Sequence, residues 1–109
     1  MDERRRAEVD VEIVRFVSDE PQPGLIECVL VDAGGARHRF IDKTAIFARE
    51  NLSAANEYPT SGVIACEVEA EWCDQGGRRL ARIDTARPWG IEASDGATRF
   101  VVLCTQLRR

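Results

Sequence analysis

Between Gly62 and Cys73 the chain reads GVIACEVEAEWC, with Ile64, Cys66, Val68, Ala70 and Trp72 at one set of alternate positions and Glu67, Glu69 and Glu71 at the other. A helix would scatter these side chains around its axis, whereas a period of two predicts a strand with one dry face and one wet face. Such a strand must be covered by others whose alternation matches it. The residues that follow, Asp74-Gln75-Gly76-Gly77, put Asp at the first position of a type I turn and Gly at the fourth, where left-handed backbone completes a hairpin loop. RRLARID, residues 78–84, then returns as the hairpin partner.

The same turn chemistry occurs earlier, at Asp32-Ala33-Gly34-Gly35. Around it Glu27, Asp32, Gly34, Gly35, Arg37, Ile41 and Asp42 match Glu69, Asp74, Gly76, Gly77, Arg79, Ile83 and Asp84. An old duplication of one hairpin and shared turn chemistry both account for the match. A phosphate cradle does not, because strand-like residues follow each Gly pair where a helix N-terminus would be needed, and the loop carries a carboxylate.

Four further segments read as strands. VDVEIVRFV alternates with Val9, Val11, Ile13 and Val17 on one side, and SDEPQPG breaks it. LIECVLV and ARHRFI flank the first Gly pair, and TRFVVLCTQL closes the chain. In the middle, Thr44 can cap a helix that turns Ile46, Phe47 and Leu52 inward; alternatively TAIF stays extended and ARENLSAANE coils before Pro59. The expected fold is all-β: a small antiparallel barrel of about six strands, OB-like or SH3-like, with one short helical segment; a small sandwich also fits. Residues 1–8 are expected to be a flexible charged start and residues 9–109 one domain.

With 109 residues, the chain is long enough to fold without disulfides or a metal. A net charge of −4 argues against a dedicated nucleic-acid binder. No apolar run reaches the length of a membrane span and MDERRRAEVD lacks the apolar stretch of a signal peptide, so the expected address is the cytoplasm. Cys28, Cys66, Cys73 and Cys104 form no C-x-x-C pair and each borders an apolar run, which reads as small buried hydrophobes; no metal site or cofactor is expected.

The candidate functional residues follow from chemistry out of place. Trp89 stands between a proline and a glycine in a loop, with Arg87, Glu92 and Asp95 around it. It is either an exposed anchor of the kind that dominates interface energies or a plug for one end of the barrel. The scarcity of aromatics favours the plug. Glu67, Glu69 and Glu71 read as a solvated outer row answered across the hairpin by Arg78, Arg79 and Arg82. Arg37, Arg39, Arg79 and Arg82 are the candidates for a nucleic-acid surface, weakened by the shortage of aromatic platforms. His38 is the single imidazole, and pairing between the second and third strands can bring it near Cys28, although no orienting third group is spelled.

The succession PGLIECVLVDAGGARHRFIDK, YPTSGVIACEVE and DTARPWGIEASDGATRFVVL resembles a family of small uncharacterised bacterial proteins that share PG-x-x-E-C, D-x-x-G-x-x-H, YP-x-x-G-x-I-x-C and PWG-x-E-x-x-DG. The resemblance implies that residues 24–103 form one unit, and it carries no activity over. The leading expectation is a non-enzymatic protein-interaction module, immunity-like or regulatory, that uses the Trp89 loop or the acidic face. An OB-like single-stranded nucleic-acid binder and a Cys-dependent enzyme are the alternatives, and homo-oligomerisation stays open.

Overall fold

The computed structural model describes residues 5–20, 24–48 and 52–109. In chain order its elements are β1 (Arg5–Ser18), β2 (Leu25–Val31), β3 (Arg37–Lys43), the single-turn helix α1 (Thr44–Phe47), β4 (Thr60–Cys73), β5 (Arg79–Asp84), β6 (Arg99–Leu103), a 3-10 turn (Cys104–Gln106) and β7 (Leu107–Arg108). All pairings are antiparallel and the strand order is β3-β2-β1-β4-β5-β6, with β7 added to β1. Two three-stranded meanders are thus joined through their first strands, and the sheet curls into a half-barrel. The all-β barrel-like expectation holds, with six main strands and one short helix.

The two long strands explain the curl. β1 pairs with β4 from Arg5 opposite Val68 to Ile13 opposite Thr60 and with β2 from Glu12 to Ser18, while β4 pairs with β5 from Glu67 to Cys73. Val9, Ile13, Ile26, Cys28, Leu30, Phe40, Ile64, Cys66, Ala81, Ile83 and Val102 are fully buried on the inner face. Burial of each larger aliphatic side chain stabilises the fold by roughly 1.5–3 kcal/mol. The edges of the curl meet at a seam: the Ala33 N–H donates to the Val101 carbonyl at 2.8 Å and the Ser94 N–H to the Arg39 carbonyl at 2.7 Å. Inside the seam, the Phe100 ring lies 4.7 Å from His38 and 5.7 Å from Phe40.

Both Gly pairs are turns of the expected kind. The Gly35 N–H donates to the Asp32 carbonyl at 3.0 Å and the Gly77 N–H to the Asp74 carbonyl at 3.1 Å, with φ of +85° and +83° at the two glycines. Each aspartate also accepts from the backbone N–H four residues on, Ala36 or Arg78, at 2.9 Å through its side chain. A third turn of this pattern spans Ala93 to Ala97.

Several expectations need correction. β1 starts at Arg5 rather than Val9, because Arg5 to Glu8 already pair with Val68 to Ala65; residues 1–4 lie outside the described residues. A register shift between Ile13 and Arg15 passes the inward position from Val17 to Phe16, which lies opposite the buried Ile26. Thr44 does not cap α1: it is the first helical residue, Lys43 holds the cap position, and no side chain bonds there. TAIF is helical rather than extended, Phe47 and Leu52 are buried as expected, and residues 49–51 of the alternative helix lie outside the described residues. The closing strand stops at Leu103, where the 3-10 turn redirects the chain onto β1. Of the cysteines, all free, Cys28 and Cys66 are buried but Cys73 is exposed and Cys104 half-buried.

Candidate functional site

The loop from Thr85 to Thr98 links β5 to β6 and is built around one buried hydroxyl. The Thr85 Oγ1 donates to the Ile91 carbonyl at 2.7 Å, the Ile91 N–H returns to the Thr85 carbonyl at 3.0 Å, and the Thr85 N–H donates to Thr98 at 2.8 Å. Ala86 N–H bonds the buried Asp84 carboxylate at 2.9 Å, and Gly90 N–H closes the turn onto Ala86 at 2.7 Å. Ile91 and Ala93 point into the core, while Arg87, Glu92 and Asp95 are exposed. The Asp95 carboxylate accepts from the Ala97 N–H at 3.0 Å and so serves the turn.

Trp89 stands outward on this frame, 59% exposed, the most open of the large hydrophobic side chains described. The plug expectation is therefore overturned. Ile91 and Ala93 supply the bulk at that end of the barrel, and the PWG tripeptide is left to project.

The acidic row is also divided. A register shift between Val68 and Ala70 places Glu71 opposite the buried Ala81, so Glu71 lies on the face of the inward residues and not beside Glu67 and Glu69. Glu69 meets Arg82 at 3.3 Å and Arg99 at 3.1 Å on the outer face. Glu71 instead meets Arg5 at 2.7 Å, Arg109 at 2.6 Å and Arg79 at 3.8 Å. The hydrogen bond from Arg109 holds its carboxyl down at about 2, with help from the charges of Arg109 and Arg5. Arg78 does not answer the row; it bonds Asp74 at 2.8 Å within its own turn. The same shift turns Trp72 to the outer face opposite Leu80, where it is 39% exposed.

The four arginines of the nucleic-acid expectation do not form one tract. Arg37 and Arg39 are exposed on β3, opposite Val31 and Val29 on the outer face, and Arg82 shares that face but is paired with Glu69. Arg79 lies on the other face with Glu71.

Cys28 and His38 lie on the same face of the β2–β3 hairpin, with Phe40 directly opposite Cys28 and Leu30 opposite His38. Burial pushes the Cys28 thiol far above its ordinary range, with Glu27 adding to the rise, and pushes Cys66 up to about 12. A nucleophile needs the opposite shift. His38 is held by Asp32, its Nε2 2.8 Å from the carboxylate, a partnership the residue reading missed although the D-x-x-G-x-x-H spacing carries both residues. That hydrogen bond lowers the Asp32 carboxyl. Among the described residues no group of three or more His, Cys, Asp or Glu comes together to hold a metal. A groove of about 550 Å³ beside the start of β4 is lined by Phe47, Leu52, Thr60, Gly62, Val63 and Arg108, and the Arg108 guanidinium is taken by Asp10 at 2.7 Å.

These features define a small all-β half-barrel that carries an outward tryptophan on a pinned loop. No helix among the described residues is long and apolar enough to cross a membrane. No model of a known protein family, no curated protein and no solved structure matches this chain.

Proposed function

We propose that this protein is a protein-interaction module whose anchor is Trp89. The observation that carries this reading is the contrast within one loop: its base is fixed by the buried Thr85, yet its largest side chain is presented to solvent. A rigid base means that little conformational freedom is lost when a partner closes over the indole, and a flat aromatic with flanking charges is the composition of an interface hot spot. Arg87 and Glu92, both exposed, supply a polar rim around the anchor.

The test compares partner capture from host lysate by the native chain, by Trp89→Ala and by Trp72→Ala, each with and without nuclease. Trp89→Ala is expected to keep its stability within about 0.5 kcal/mol, since the side chain is exposed. It should also weaken a nuclease-resistant partner by about thirtyfold or more, the scale of an aromatic hot spot. Equal capture by the native chain and Trp89→Ala would refute the anchor, and capture lost on nuclease treatment would favour a nucleic-acid binder.

A further inference from the structure

One carboxylate at the far end of β4 gathers guanidinium groups from three distant parts of the chain. Arg109 donates to Glu71 twice, at 2.6 and 3.1 Å, and Arg5 donates once at 2.7 Å. Arg79 Nη2 stands 3.8 Å from the same carboxylate, within coulombic reach but past hydrogen-bond distance. Its side chain is 70% exposed and that of Arg5 63%, so most of their N–H donors face solvent. Three guanidinium groups around the one Glu71 carboxylate make this cluster net positive, in a chain whose net charge is −4. The surplus is local. Arg78, Arg82, Arg99 and Arg108 each sit on a carboxylate of Asp74, Glu69 or Asp10. A neutral neighbour is the Cys104 thiol, which donates to Glu71 at 3.7 Å.

We propose that Arg5, Arg79 and Arg109, spaced by Glu71, form a binding site for a phosphate monoester. The net positive charge and the fork geometry select this class. A phosphate monoester carries about −1.5 to −2 at neutral pH, so a net positive cluster draws it more strongly than a carboxylate or an internal phosphodiester, each of which brings a single charge. Its oxygens also suit planar guanidinium forks, which bind them two at a time. Glu71 acts as a post: it occupies the Arg109 fork and orients Arg5, and leaves Arg79 as the arm that reaches the ligand.

The test is calorimetric titration of the full chain at low ionic strength with phenyl phosphate, inorganic phosphate, sodium acetate and a dinucleotide bearing only an internal diester. Phenyl phosphate and inorganic phosphate are expected to bind saturably and to weaken as salt is added. Arg79→Gln should weaken phenyl phosphate by about five- to tenfold, the scale of one exposed charge-assisted contact, while Arg99→Gln, placed on Glu69, leaves it unchanged. The exposure of Arg79 makes loss of folding with this variant a minor concern, checked by circular dichroism. The proposal fails if phenyl phosphate binds no better than acetate, if Arg79→Gln binds as well as the native chain, or if the dinucleotide binds more tightly than the monoester. Trp89→Ala should bind phenyl phosphate normally, so the two readings stand or fall separately.

Discussion

Thr85 shows how one residue can hold a loop without touching what the loop presents. Its hydroxyl is the donor to the Ile91 carbonyl inside the core. Thr85→Val keeps the volume but leaves that carbonyl without its donor, so urea unfolding should show a loss of about 1–3 kcal/mol. Glu71 makes a second residue-scale prediction. Its folded carboxyl is depressed from 4.5 to about 2, so its stabilisation is complete above the ordinary carboxylate range and is lost as pH falls from about 4.5 toward 2. Urea midpoints measured across that window should fall for the native chain and fall less for Glu71→Gln. Trp89 itself was legible as a residue out of place, but its direction was not. Bulk was needed at that end of the barrel, and only the structure shows that Ile91 and Ala93 provide it.

Turns and strands differ as elements in how openly the sequence writes them. The Asp-x-Gly-Gly turns are local objects: the aspartate side chain bonds the turn it starts, and a glycine adopts the left-handed backbone. Gly62 is a strand glycine of a different kind, required by a close approach. An added Cβ there would lie 2.7 Å from Ile13 and 2.9 Å from the Phe47 carbonyl, whereas at Gly35, with φ +85°, it would meet nothing within 4 Å. Gly62→Ala should therefore cost about 1–3 kcal/mol through overpacking, and Gly35→Ala about 1–2 kcal/mol through backbone strain alone. Displacement of Ile13 in a crystal structure of Gly62→Ala, with no displaced neighbour in Gly35→Ala, would separate the two causes. The bulges in β1 and β4 were invisible beforehand. Alternation runs on through Glu69 without a break, and the extra residue exists only relative to the partner strand. It splits the glutamate row and delivers Glu71 to its arginines.

For the whole molecule, the half-barrel closes by packing at a seam more than by a ladder. Among the described residues two backbone hydrogen bonds cross it, and Phe100 sits against both His38 and Phe40. Phe100→Ala should destabilise the protein by about 3–5 kcal/mol, whereas Val101→Ala, whose side chain faces out on the same strand, should cost well under half as much; thermal melts of the pair decide. The sequence by itself determined the all-β class, the second-strand boundaries, both Gly-pair turns and the inward residues Val9, Val11 and Ile13 of β1 and Ile64, Cys66 and Val68 of β4, because period and turn chemistry are properties of short stretches. Tertiary structure alone decided the β1–β4 junction of the two meanders, the bulges, the seam, the exposure of Trp89 and the convergence of Arg5, Arg79 and Arg109. Each of these depends on which distant backbone lies alongside, and no local pattern carries that information.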